Sequence, residues 1–147
     1  MGSTFSSLRI HIVFSTKERH PWITPEWRSK LHKYLGGTVR GLGGVAEEVG
    51  GVEDHVQLLV SYRPTLTISE FMRELKKASS VWAAQEFEAQ FGWQEGYAVF
   101  SVSASQKDRV RTYIANQEEH HRKKSFREEL DELLQRHGIE FKPAHLE

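Results

Sequence analysis

The chain has 147 residues, no cysteine, and 20 basic against 20 acidic residues, which excludes disulfides and thiolate metal sites and provides no global field that would favour nucleic acid. Its length suits one domain, residues 1–147, with a sizeable core. It contains no apolar run of membrane-spanning length and no signal-peptide core, so we expect a cytoplasmic protein without a membrane partner.

The first half of the chain predicts a strand, a helix and two more strands. In "SLRIHIVFST" every second residue is apolar, which indicates a strand with one apolar face; these residues are Leu8, Ile10, Ile12 and Phe14. Thr24 and Pro25 begin a helix that ends at the glycines of positions 41–44. "GVAEEVGGVE" and "DHVQLLVSY" follow as two strands, with the break at either Gly50-Gly51 or Glu53-Asp54.

The second half predicts a helix, a strand and two further helices. Apolar residues recur at helical spacing from Ile68 to Trp82, and "GYAVFSVS" is a fourth strand. Ser105 and Asp108 have the spacing of a capping box for the third helix. One face of that helix carries Val110, Tyr113, Ile114 and Gln117. The segment "SFREELDELLQRHG" predicts a last helix that ends at Gly138.

The order of these elements predicts the fold. A β-α-β-β-α-β chain followed by two helices is typical of the split-βαβ, ferredoxin-like class of α+β proteins. We expect a four-stranded antiparallel sheet with the two main helices on one face and the apolar "HVQLLV" strand at its centre. The other face is then left for a site or for the extra helices, including the C-terminal helix that bears Tyr113.

His55 and Gln57 form the first candidate site. They are two residues apart on a predicted strand, so both side chains point to the same face. A glutamine can offer a metal only its amide oxygen, which suits hard cations such as Mg²⁺ or Mn²⁺. A histidine that hydrogen-bonds a loop at the start of a strand is the simpler interpretation of this fragment taken alone, and the metal site stays open beside it.

The other candidates lie on helices. Tyr113 and Gln117 are four residues apart and share a helix face, as a core tyrosine beside a surface glutamine also would. His120 and His121 could bind metal, but adjacent helical residues diverge and do not easily chelate one ion. Two basic clusters could hold phosphates or could simply be solvated helix faces: Arg73, Lys76 and Lys77, and Arg122, Lys123 and Lys124.

Five segments together resemble one family. They are "HIVFSTKER", "GGVEDHVQLLVS", "FMRELKKASS", "WQEGYAVFSVS" and "RVRTYIANQEEHHRKKSFREEL". They resemble the single-tyrosine transposases of the smallest bacterial and archaeal insertion sequences, the TnpA-like branch of the HUH endonucleases, which is related to REP-associated tyrosine transposases. The resemblance runs from about Leu8 to the segment "RHGIEF" and implies the same ferredoxin-like fold.

The resemblance also implies a reaction and a site. Such enzymes cut and rejoin single-stranded DNA beside hairpins at the element ends, with a divalent metal, Mg or Mn, and a 5′-phosphotyrosine intermediate. Tyr113 matches the nucleophile, Gln117 matches the metal-binding glutamine, and His55 matches the first histidine of the His-hydrophobic-His motif. Gln57 stands where the second histidine is found, so the metal set would be His55, Gln57 and Gln117. The family also implies a homodimer with shared active sites.

Three functions remain open at this stage. The first is a strand-transfer enzyme, and the second is a weakened or repurposed relative that binds single-stranded or hairpin DNA without cutting it. The third is a metal-dependent hydrolase that does not religate. The departure at Gln57 is the feature that keeps the second interpretation in play.

Overall fold

A computed structural model describes residues 2–141 of the chain. The strands are β1 Arg9–Ser15, β2 Val45–Val52, β3 His55–Ser61 and β4 Ala98–Val102. The α-helices are α1 Pro25–Gly41, α2 Ile68–Glu86, α3 Lys107–Ala115, α4 Gln117–His120 and α5 Phe126–Arg136. Short 3₁₀ turns cover Lys17–Arg19 and Ala104–Gln106. No helix within this part of the chain is long and apolar enough to cross a membrane.

The four strands form one sheet in the order β2-β3-β1-β4, and every neighbouring pair is antiparallel. The predicted ferredoxin-like α+β fold is therefore confirmed, with β3 at the centre. The register places Ser15 opposite His55 and Val13 opposite Gln57. The break between β2 and β3 lies at Glu53–Asp54, the second of the two predicted positions.

One face of the sheet packs against α1 and α2 and forms the main core. Alternating residues of β1 and β3 point into it, because successive strand side chains alternate between faces. Ile12, Val56 and Leu58 are fully buried there against Leu31 of α1 and Leu75 of α2. Burial of this kind of apolar area, at roughly 25 cal/mol per Å², is the main stabilising term of the fold.

The other face of the sheet is covered by the C-terminal helices. Phe126 and Leu133 of α5 pack on Val13 and Phe100 and form a second, smaller core. Helix α3 packs on β2 and β3. The extra helices thus occupy the face that the sequence left open for them, and a polar cluster lies between them and the sheet.

Two local predictions at α3 differ from the structure. Ser105 does not cap the helix, because residues 104–106 form a 3₁₀ turn and Gln106 is the N-cap without a side-chain cap bond. The predicted continuous helix also breaks, since α3 ends at Ala115 and α4 begins at Gln117. Asn116 between them has φ −99° and ψ 23°, which is outside helical geometry.

Candidate functional site

His55 and Gln57 point to the same face of the central strand, as their spacing predicts, and this is the face that the C-terminal helices cover. Both side chains are 0% exposed. The strand places polar groups here because the alternate residues Val56 and Leu58 take up the apolar core on the opposite face. Buried polar groups need hydrogen-bond partners, and those partners come from the C-terminal helices.

Tyr113 and Gln117 lie over these two strand residues. Gln117 is 1% exposed, and its Oε1 lies 2.9 Å from His55 Nε2 and 2.9 Å from Gln57 Nε2. Tyr113 and Gln117 stay together despite the break at Asn116, because the Tyr113 hydroxyl and Gln117 Nε2 both donate to one carboxylate. The four predicted residues, drawn from two distant segments, therefore meet in one cluster.

That carboxylate belongs to Glu129 of α5, which sequence reasoning missed. Glu129 is 1% exposed. Its Oε1 accepts a 2.7 Å hydrogen bond from Gln57 Nε2, and its Oε2 accepts one of 3.0 Å from Gln117 Nε2. A signal was present in the sequence: Glu129 falls at helical spacing between the apolar residues Phe126 and Leu133, so it sits on the buried face of its helix.

His121 also enters the cluster. It follows the last residue of α4, and its Nε2 lies 3.0 Å from Glu129 Oε1 and 3.1 Å from Gln117 Oε1. His120 does diverge from it, as expected of neighbours, and its Nε2 lies 3.4 Å from the other carboxylate oxygen. The donor atoms of His55, His121 and Glu129 lie within 4.8 Å of one another, a spacing that fits one metal ion.

The orientation of Gln57 differs from the prediction that its oxygen faces a metal. Its Nε2 points into the cluster, and its Oε1 lies 2.6 Å from Nε2 of His11. Turning the amide over would bring an oxygen to 2.7 Å from the Glu129 carboxylate, which accepts hydrogen bonds but cannot donate them when ionised. The hydrogen-bond network therefore assigns the nitrogen to this position.

The charges in the cluster stabilise one another. Burial alone lowers the pKa of His55, but hydrogen bonds and charge from Asp54 and Glu129 raise it to about 9. Burial acts to raise the pKa of Glu129, yet His121 and His55 hold it well below its ordinary range. Burial and the negative charge of Glu129 raise the pKa of Tyr113. The tyrosine proton therefore stays on oxygen and Glu129 stays ionised.

Arg28 fixes the position of α4 and so of Gln117. Its side chain is only 11% exposed; Nη2 donates to the Ile23 carbonyl at 3.1 Å and Nη1 to Glu118 at 2.8 Å. Because Glu118 is adjacent to Gln117, this contact ties the short helix to the start of α1. Hydrogen bonds to charged groups are stronger than neutral ones, so the tie suits a helix of one turn.

A capping box holds the first turn of α5, which carries Glu129. Ser125 Oγ accepts from the Glu128 backbone, and the Glu128 side chain accepts from the Ser125 backbone. We expect Ser125→Ala to lower the free energy of unfolding by about 1 kcal/mol, because it removes this cap. Urea denaturation measures the loss. Ser105→Ala is the matched control and should cost less, since the hydroxyl of Ser105 bonds the hydroxyl of Ser103 and caps no helix within residues 2–141. The opposite order would contradict the assignment of the cap.

The six basic residues predicted to contact DNA lie in two places. Arg73, Lys76 and Lys77 belong to α2, which packs on the sheet face opposite the cluster, and Lys76 Nζ donates to the Gln94 and Gly96 carbonyls. The other three form the turn after His121. There Arg122 pairs with Glu119 at 3.1 Å and Lys124 with Glu132 at 2.5 Å, while Lys123 is exposed.

A ferredoxin-like sheet with a tyrosine, a histidine and a glutamine meeting on one face is the arrangement that the resemblance implies for single-tyrosine transposases. Comparison with known proteins establishes the family. The chain belongs to the IS200-like transposases, since the model of that family matches residues 4–117.

Individual relatives agree with this assignment. The ISDra2 transposase TnpA of Deinococcus radiodurans is 30% identical over 119 residues, which cover 75% of this chain and 84% of that protein. A crystal structure from D. radiodurans R1, described as a transposase, superposes with a TM-score of 0.64 at 25% identity, covering 80% of this chain and 96% of the other. A REP-associated tyrosine transposase bound to a REP hairpin has the same fold, with a TM-score of 0.56 at 12% identity, covering 78% and 70%.

Proposed function

We propose that this transposase cuts and rejoins single-stranded DNA through a covalent link to Tyr113. The observation that carries the proposal is that the Tyr113 hydroxyl belongs to the same buried hydrogen-bonded cluster as His55 and Gln117. Membership of the transposase family supplies the substrate class. One sheet and its helices carry the whole cluster, which supports the prediction of a single domain over residues 1–147.

The proposed reaction exchanges one phosphate ester for another. The Tyr113 oxygen attacks the scissile phosphorus and forms a P–O bond as the bond to the 3′-oxygen breaks. The hydroxyl proton leaves Tyr113, and the departing 3′-oxygen takes up a proton to become a free hydroxyl. The 5′-phosphotyrosine keeps the ester for religation by the reverse attack of a 3′-hydroxyl.

Glu129 orients the nucleophile in this scheme. The hydroxyl of Tyr113 donates to its Oε2, which fixes the direction of the O–H bond. Since the pKa of Tyr113 is raised and that of Glu129 lowered, the carboxylate holds the proton in place on the tyrosine until the substrate is bound. Proximity and orientation of this kind contribute much of an enzyme's rate enhancement.

A divalent ion, Mg²⁺ or Mn²⁺, belongs to the proposal. His55 and Gln117 would hold it, because their Nε2 and Oε1 atoms already converge, 2.9 Å apart. When bound, such an ion supplies Lewis acidity toward the phosphate oxygens and orients the scissile bond. The donor set present is consistent with this, since imidazole nitrogen and amide oxygen are both ordinary ligands of Mn²⁺.

An open cleft beside Tyr113 is the place where we expect the DNA strand to lie. It has a volume of about 620 Å³ and is bordered by His11, Phe100, Tyr113, Arg109 and Arg136. The guanidinium groups of Arg109 and Arg136 can bind phosphates. The REP-associated relative of the same fold is bound to a hairpin, and we propose hairpin-bearing single strands as the partner of this chain as well.

The homodimer stays a prediction from the resemblance. In the structure, Gln117 bonds His55 and Gln57 of its own chain, and Tyr113 joins them through Glu129, so the cluster is complete in cis. Exchange of the tyrosine helices between two protomers would rebuild the same contacts in trans, with residues 103–106 as the connection that would have to extend.

The test is a search for the covalent intermediate. Purified protein is incubated with Mn²⁺ and single-stranded oligonucleotides that carry the hairpins flanking its gene. We expect a protein–DNA adduct that survives denaturant, disappears when a chelator removes the metal, and returns when Mn²⁺ is restored. Cleaved DNA without an adduct would instead indicate a hydrolase.

A second function is favoured by one observation, the glutamine at position 57. If it abolishes catalysis, the chain is a DNA-binding protein that retains the fold and the cleft. Hairpin binding in a gel-shift assay with neither adduct nor cleavage, on oligonucleotides of the genuine flanking sequence, would establish this function in place of strand transfer.

A further inference from the structure

His121 and Glu129 are two buried groups of the polar cluster. The proposed function assigns the metal to His55 and Gln117 and gives neither of them a role as a ligand. Their side chains are 8% and 1% exposed. Both lie C-terminal to residues 4–117, the part of the chain that the family model matches. We infer that they complete the divalent-metal site together with His55 and Gln117, and that Gln57 supports this site as a hydrogen-bond donor instead of a ligand.

The spacing of four atoms supports the assignment. His55 Nε2 lies 2.9 Å from Gln117 Oε1 and 3.4 Å from Glu129 Oε1. His121 Nε2 lies 3.1 Å and 3.0 Å from the same two oxygens. Ligands bound to one ion at about 2.0–2.2 Å are themselves about 3.0–3.5 Å apart, and these four nitrogen–oxygen distances are close to that range.

The outer nitrogens of both imidazoles are fixed in the manner of metal ligands. His55 Nδ1 lies 2.8 Å from Asp54 Oδ1, and His121 Nδ1 lies 2.7 Å from the Lys124 carbonyl. A carbonyl only accepts, so Nδ1 of His121 carries a proton. Nε2, which faces the oxygens of Gln117 and Glu129, is therefore the ring atom left to bind an ion. The outer bonds of both rings are those that orient ligating histidines in metal sites.

Gln57 has a different part in this arrangement. Its Nε2 donates to Glu129 Oε1 at 2.7 Å and to Gln117 Oε1 at 2.9 Å, while its oxygen accepts from His11. It therefore orients the two oxygen ligands, Gln117 Oε1 and Glu129 Oε1, by donating a hydrogen bond to each. A positioning residue can replace the motif's second histidine because His121 supplies another imidazole from the C-terminal side.

The donor set also predicts which ions bind. Two imidazoles, one carboxylate and one amide oxygen suit divalent transition ions such as Mn²⁺ or Zn²⁺, whereas Mg²⁺ prefers an all-oxygen octahedron. Glu129 gives the site the negative charge that a set of His55, Gln57 and Gln117 lacks. We expect the site to bind Mn²⁺ at least about tenfold more tightly than Mg²⁺.

The test measures metal binding to the full chain without DNA, by calorimetric titration of chelator-treated protein with MnCl₂. We expect Glu129→Gln and His121→Asn to weaken Mn²⁺ binding by about tenfold or more, and Gln57→Leu to weaken it less than either. The matched control is Glu132→Gln on the exposed side of α5, which should stay within about twofold of the unmutated chain. Wild-type affinity in Glu129→Gln and His121→Asn, or a larger loss in Gln57→Leu, would overturn the inference.

A measurement on the unmutated protein covers the case in which a variant fails to fold. Zinc is titrated into protein labelled with ¹⁵N-histidine, and the ring-nitrogen resonances are followed. Resonances of both His55 and His121 should shift at one equivalent, whereas a shift confined to His55 would contradict the ligand role of His121. This inference rests on the metal site of the proposed function, and the two are tested by separate measurements. If the adduct forms but only the resonances of His55 shift with zinc, strand transfer is supported and this ligand set is rejected.

Discussion

Replacing Tyr113 with phenylalanine is expected to abolish the covalent protein–DNA adduct completely. The substitution removes the one oxygen of this side chain that can form a phosphate ester and leaves the ring in place. It also removes the hydrogen bond to the ionised Glu129, which costs about 1.5–3 kcal/mol of stability. The measurement compares adduct yield on a denaturing gel with hairpin binding on a native gel, and binding should persist.

The matched control is Tyr97→Phe. Tyr97 is 42% exposed and lies outside the polar cluster, so loss of its hydroxyl should leave the adduct yield unchanged. An undiminished adduct in Tyr113→Phe would show that another residue is the nucleophile. Loss of hairpin binding together with the adduct would instead show that the variant has lost its DNA-binding cleft.

The fold was predictable because it follows from periodicity. Alternation indicated β1, an apolar run indicated β3, and helical spacing indicated α1 and α2. The order of these elements then predicted the antiparallel sheet with both helices on one face, as observed. The local errors fell where periodicity says little. The break at Asn116 and the 3₁₀ turn at residues 104–106 depend on how α3 and α4 seat on the sheet, which no local pattern encodes.

About half of the candidate site was predictable from the sequence. His55, Gln57, Tyr113 and Gln117 could be paired because they stand in motifs that resemble a family, and the structure brings them together. Glu129 and His121 lie in one of these segments, but the resemblance assigns them no role. The place of Glu129 on the apolar face of its helix was visible from its spacing to Phe126 and Leu133.

His121 was passed over for a reason that holds within a helix but not at its end. Adjacent helical side chains point about 100° apart, so two neighbouring histidines do not share an ion. In the structure α4 ends at His120, and His121 has φ −81° and ψ 1°, outside the helix. The end of a one-turn helix depends on tertiary contacts such as that between Arg28 and Glu118, and sequence spacing does not reveal it.

Gly50→Ala is expected to damage stability and the candidate site together. Gly50 of β2 lies directly under the last turn of α3, and a Cβ at this position would stand 2.1 Å from the Ile114 carbonyl oxygen. Relief of that clash requires α3 to move away from the sheet by roughly 1 Å. Overpacking of this kind costs about 1–3 kcal/mol, to be measured by urea denaturation.

The same shift should reach the chemistry, because Tyr113 directly precedes Ile114 and Gln117 follows it by three residues. A displacement of about 1 Å at a reacting group can reduce the rate by about a hundredfold, so we expect adduct formation in folded Gly50→Ala protein to fall by that order. Gly37→Ala in α1 is the control: a Cβ there meets nothing within 4 Å, and the change should stabilise the protein by about 0.5–1 kcal/mol. Unchanged stability and adduct yield in Gly50→Ala would mean that α3 does not rest on β2 as described.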